Sequence, residues 1–183
     1  MKRLIAGLCV VLLCACSSAK YEKNPDGSKP VLYPAAEVLR WPVVDGAHQA
    51  PSGSARIYID PSVKFQPDVQ LGDGVRIGAS STIEEDTVLF PNVTVGRNTV
   101  VQGDNIVQGG AKIGNNVLMR GDSVIGPGTV IEDGATIGKQ SRIGKGVTVG
   151  AGSTVGPGSR IGDGASVPNG KLLPPQTRID AVK

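Results

Sequence analysis

Aromatic side chains are scarce: one Trp, three Tyr and two Phe make up 3% of 183 residues. Any core must therefore be packed from aliphatic side chains, and recognition of sugars by ring stacking is disfavoured. Histidine occurs once, at His48, which excludes a metal held by three His ligands. The three cysteines, Cys9, Cys14 and Cys16, fall within the first sixteen residues, so the body of the chain has no internal disulfide. Nineteen basic against sixteen acidic residues leave a formal net charge of only +3, which does not call for nucleic acid. No apolar run reaches the length of a membrane span, the longest being Leu4 to Leu13.

What is present begins with that run. Lys2 and Arg3 precede it, as in a secretory signal. Leu13-Cys14-Ala15-Cys16-Ser17 then resembles the lipobox of bacterial lipoproteins, with Cys14 standing where a small residue is usual. The resemblance implies cleavage before Cys16, acylation of Cys16 with palmitate-type chains, and, because Ser17 follows, sorting to the outer membrane. The expected division is a signal peptide over 1–15, a tether over 16–34, an N-terminal cap over 35–56, a repeat domain over 57–179 and a tail over 180–183. The tether, broken by Pro25 and Pro30, spans at most ~60 Å. Within the cap, Ala35 to Trp41 has a weak helical pattern ended by Pro42, and Val43 to Ser54 has loop composition.

From Ile59 the pattern changes. An aliphatic or similarly large apolar residue recurs at every sixth position through Phe65, Leu71, Ile77 and onward to Leu173 and Ile179, and no rung is missing or polar. Two residues before most of these rungs stands a smaller one, with Asn105 the polar exception in the central stretch; one residue later stands Gly in many hexads. A period of six fits neither a helix nor a hairpin array, but it fits one face of a solenoid. Period-2 alternation turns the aliphatic and the small residue inward, and pairs such as Asp73-Gly74 and Pro127-Gly128 have turn chemistry.

These hexads resemble the hexapeptide-repeat family. The resemblance implies an all-β, single-stranded, left-handed parallel β-helix of triangular section with about seven coils, ~32 Å long. Many proteins of that family are acyltransferases in which a His on a coil acts as general base. Here His48 precedes the first rung, in what reads as a solvated loop, and no inserted loop interrupts the hexads. A carboxylate site at Glu84, Glu85 and Asp86 reads more simply as a charged corner.

The sequence therefore predicts no catalytic residues, cofactor or metal, and a non-catalytic envelope scaffold anchored by its lipid. The alternative is an acyltransferase with an unrecognised base. Ice binding is disfavoured because the column Lys64, Thr82, Val100, Leu118, Thr136, Thr154, Leu172 lacks paired threonines. The expected working surface is an outward aliphatic stripe of Val88, Phe90, Ile106 and Val124, widened by Val100 and Leu118 and continued by Arg142, Arg160 and Arg178. It would bind a second copy, as in the family's trimers, or another envelope protein, with the arginines meeting an acidic partner, anionic lipid or polysaccharide.

Overall fold

The computed structural model describes residues 29–182; the signal peptide, Cys16 and Ser17 lie outside these residues. The chain first forms a short strand β1 (Leu32–Pro34), a single helical turn α1 (Ala35–Val38) and two further strands, β2 (Val43–Val44) and β3 (Ala47–Gln49). The solenoid then starts with β4 (Arg56–Ile59), β5 (Lys64–Phe65) and β6 (Gln70–Gly72), which form its first coil. From there, strands of two residues recur every six residues to Arg178–Ile179.

Each strand pairs in parallel with the one eighteen residues on, as in Val88↔Ile106↔Val124, so three sheets form the sides of a prism. Each side has seven parallel strands; β1 extends one side to eight and the β2–β3 pair another to nine. Two-residue strands suffice because each coil bonds to both neighbours. Thr94 N–H donates to the Ala111 carbonyl at 3.0 Å and Gly96 N–H to Ile113 at 2.8 Å, and corners join in through bonds such as Gly128 N–H to Gly109 at 3.1 Å. The chain is thus a hexapeptide-repeat β-solenoid of about seven turns, as its period predicts.

Every rung from Leu71 to Leu173 is buried, while Phe65 and Ile179 at the ends are half-buried. The small inward column is buried with it, and its polar members bond to the neighbouring coil. Ser81 Oγ donates to the Gly96 carbonyl at 2.7 Å and accepts Thr99 N–H at 3.1 Å. Asn105 extends the same device: Nδ2 donates to the Gln102 carbonyl at 2.6 Å, and Oδ1 accepts Ser123 N–H at 2.9 Å. A buried amide with both ends satisfied costs little and fixes the register of two coils.

The N-terminal region is more ordered than its composition suggests. Leu32–Pro34, assigned from sequence to the tether, pairs antiparallel with β6 and covers the first edge of that sheet. The helix stops at Val38 instead of reaching Trp41, and the stretch read as a loop contains an antiparallel β2–β3 pair that continues onto β4. Its turn places Asp45 and Gly46 at positive φ, 49° and 77°, as a tight hairpin requires. Trp41 is buried, edge-to-face against Tyr33 with centroids 4.9 Å apart. These pieces cover unpaired strand edges that an open solenoid would expose. Among the described residues no helix is long and apolar enough to cross a membrane.

Candidate functional site

Each hexad turns a corner through one residue at positive φ, a backbone region in which only Gly, Asn and Asp are at ease. The three corners meet this need differently. One stacks Gly74, Asn92, Gly110, Gly128, Gly146 and Gly164, and another Ser80, Asn98, Asn116, Gly134, Gly152 and Gly170. The third begins with four aspartates, Asp68, Asp86, Asp104 and Asp122, with φ between 51° and 61°. Coil spacing brings like charges within about 5 Å of backbone separation, where Asn or Gly would turn the chain without repulsion.

Asp104 is the centre of this corner. Although its side chain is exposed, loss of hydration against the stacked coils pushes its carboxyl above the ordinary carboxylate range, and the negative charges of Asp122, Asp86 and Glu85 push it further. Its backbone N–H is fixed by the Glu85 carbonyl at 3.0 Å, and Asp122 N–H by that of Gly103 at 3.3 Å. The Glu85 carboxyl lies over Gly103, where an added Cβ would sit 3.3 Å from it. Of the carboxylates singled out from sequence, Glu85 and Asp86 belong to this corner. Asp104 and Asp122 were missed; their signal was recurrence at eighteen residues, which acquires meaning only once coils are stacked.

The corner lies between outward aliphatics. Val100 and Ile106 flank Asp104 along the chain, Leu118 and Val124 flank Asp122, and Val88 follows Asp86; all five are half-buried. Phe90, assigned to the same surface, is instead buried at 4% exposure and cannot present its ring outward. Arg142, Arg160 and Arg178 stack in register further along and are exposed, Arg178 lying 3.4 Å from Asp180.

His48 is not a solvated loop residue. It lies on β3 opposite Ile57, so both side chains stand on the side where Ile57 is buried, and Nδ1 is buried with no partner among the described residues. That side belongs to the cap interior, away from the acidic corner. An open polar groove of about 340 Å³ is lined by Ser54, Arg56, Tyr58, Asp73 and Arg76. The Arg76 guanidinium lies 3.8 Å above the Tyr58 ring, and Asp73 accepts the Arg56 backbone N–H at 2.7 Å. No group of three His, Cys, Asp or Glu capable of holding a metal occurs among the described residues.

Comparison with known proteins bears on this geometry. A family model described as the hexapeptide repeat of succinyl-transferase matches residues 110–139 and 140–173. Among solved structures, the chain is similar to the acetyltransferase domain of PglB from Neisseria gonorrhoeae FA1090 in complex with acetyl coenzyme A: identity is 27%, TM-score 0.60, and the match covers 64% of this chain and 57% of that one. The same domain without that ligand gives 26%, 0.58, 61% and 54%. A hexapeptide transferase family protein from Anaplasma phagocytophilum shares the fold at 22% identity and TM-score 0.62, covering 66% of this chain and 74% of that one. The chain thus spans little more than half of the PglB domain. No curated protein matches it.

These matches overturn the expectation of a non-catalytic scaffold and of a chain that is not an enzyme. The physical error was to equate a missing coil histidine with missing chemistry. A carboxylate whose affinity for protons is raised by partial desolvation and like charge can also act as a base.

Proposed function

We propose that the protein is an acyltransferase that works on the outer surface of its prism, moving an acyl group from a thioester carrier to a hydroxyl or amine acceptor. The observation that carries this is the likeness to an acetyltransferase domain solved with acetyl coenzyme A, at 27% identity and TM-score 0.60. The acidic corner supplies the base. Asp104 takes the acceptor proton as the acceptor lone pair attacks the thioester carbonyl; the C–S bond breaks as the C–O or C–N bond forms, and the carboxyl returns the proton to the departing thiolate. The stacking of like charges at a corner that Gly would turn without repulsion is what supports Asp104 as the base.

Val88, Val100, Ile106, Leu118 and Val124 would seat a second copy or another envelope component against this edge and keep water from the reacting groups. The arginine column downstream would hold an anionic part of the acceptor or a neighbouring lipid phosphate. Acylation at Cys16, with Ser17 directing the chain to the outer membrane, would place the reaction in the cell envelope.

The full chain incubated with acetyl- or succinyl-coenzyme A and amino-sugar acceptors is expected to release thiol only when acceptor is present. Asp104→Asn is expected to slow release by ~10²-fold or more. Absence of thiol release with every thioester would overturn the proposal, and an unchanged rate in Asp104→Asn would remove that residue as base.

A further inference from the structure

Solenoids stay soluble by finishing their ends with polar outer faces. The N-terminal end of this prism does not follow that rule. Of the large apolar side chains exposed among the described residues, Val31 (61%) just before β1 and Leu39 (49%), Val43 (62%) and Val44 (40%) in the cap all lie at this end, against Leu172 and Val182 at the far end. Val43 and Val44 are neighbours on β2, so their side chains leave opposite faces, and both are exposed. The hairpin therefore projects beyond the sheet it extends. The exposed charges at this end are Lys29, Arg40 beside Leu39 and Arg56 at the start of the first coil, against Glu37 and Asp45, a surplus of one cation. Neither guanidinium forms an ion pair among the described residues, although the Arg56 backbone N–H donates to the Asp73 carboxylate.

We infer that this end of the prism docks on a bilayer containing anionic phospholipid. Val31, Leu39, Val43 and Val44 would enter the headgroup boundary, with Arg40 and Arg56 against lipid phosphates. Aliphatic residues with cationic neighbours are the composition of an interfacial membrane contact, in which apolar burial and attraction to anionic lipid add. The direction of the chain agrees. The described residues begin at this same end with Lys29, and Cys16 precedes Lys29 by thirteen positions, a reach of at most ~43 Å. A lipid there keeps a bilayer within range of the cap, whereas the far end stands a further ~32 Å away along the prism. The inference leans on the proposed anchor for that direction and on no catalytic step.

Trp41 is the sole tryptophan and lies within the cap, so its fluorescence reports on this contact without added label. The full chain is bound to vesicles of phosphatidylethanolamine and phosphatidylglycerol with brominated acyl chains. Trp41 is expected to be quenched there and not over phosphatidylcholine, with quenching lost in Val43→Asp/Val44→Asp while circular dichroism is unchanged. Should that pair fail to fold, Val31→Asp/Leu39→Glu carries the same expectation. Retention on vesicles with no quenching, or equal quenching over phosphatidylcholine, overturns the docking and leaves the anchor standing. A chain not retained on vesicles overturns both.

Discussion

Two glycines two residues apart separate the forces that hold the coils together. Gly126 has unexceptional φ, but a Cβ there would lie 2.5 Å from the Gly144 carbonyl carbon and 2.6 Å from its oxygen, about an ångström inside ordinary contact. The obstacle is backbone, and it is pinned: Gly144 N–H bonds to Ile161 at 2.8 Å and Gly126 N–H to Ile143 at 2.8 Å. Gly128 is the reverse case, at φ 64° with nothing within 4 Å of an added Cβ. Gly126→Ala must pry two coils apart, an overpacking cost of about 2–3 kcal/mol. Gly128→Ala meets only the left-handed backbone penalty of about 1 kcal/mol. For a domain of this size these correspond to losses in Tm of about 5–10 °C and about 2–4 °C. Thermal melting followed by far-ultraviolet circular dichroism reads both. If Gly128→Ala lowers Tm as much as Gly126→Ala or more, close approach between coils is not what excludes side chains from that position.

Asp104→Asn is expected to stabilise the fold at neutral pH even as it slows acyl transfer. Because the folded state raises this carboxyl above its ordinary value, folding is favoured while it is protonated and loses ground as pH climbs through and above about 4. At this exposed corner the gain is no more than about 0.5 kcal/mol, closing below pH ~4 and shrinking in 1 M salt; paired denaturant titrations test it. Asn105→Val would strand the buried Ser123 N–H and is expected to cost about 2 kcal/mol by urea unfolding. Asn105→Ser should recover most of that, because Ser123 itself accepts Ser141 N–H at 3.2 Å.

The prism was legible because one constraint, an inward aliphatic at every sixth residue, repeats without interruption from Ile59 to Ile179. The cap was not legible: Val43–Val44 and Ala47–Gln49 are too short for an alternating pattern, and their pairing is set by the edge of β4. Phe90 follows Leu89 directly, and period-2 alternation could not foresee that both would be buried. Asp104 was hidden for a different reason. Its neighbours Asp86 and Asp122 are distant in sequence, and their repulsion arises only when the third corner of each coil is laid on the last. His48 stands out by residue type alone, whereas the raised proton affinity of Asp104 comes from stacking.

The eighteen-residue pairing that builds each side also quantises the molecule's height. Insertion or loss of one whole coil leaves every downstream aliphatic on its own side and changes the prism by one strand spacing, ~4.8 Å. An increment of one or two hexads keeps the rungs inward but moves the rest of the chain round by one side or two, and an increment that is not a multiple of six turns buried rungs toward water. A protein of this design can therefore be lengthened or shortened in steps of one coil while its two ends keep their orientation, so its reach is adjustable but discrete.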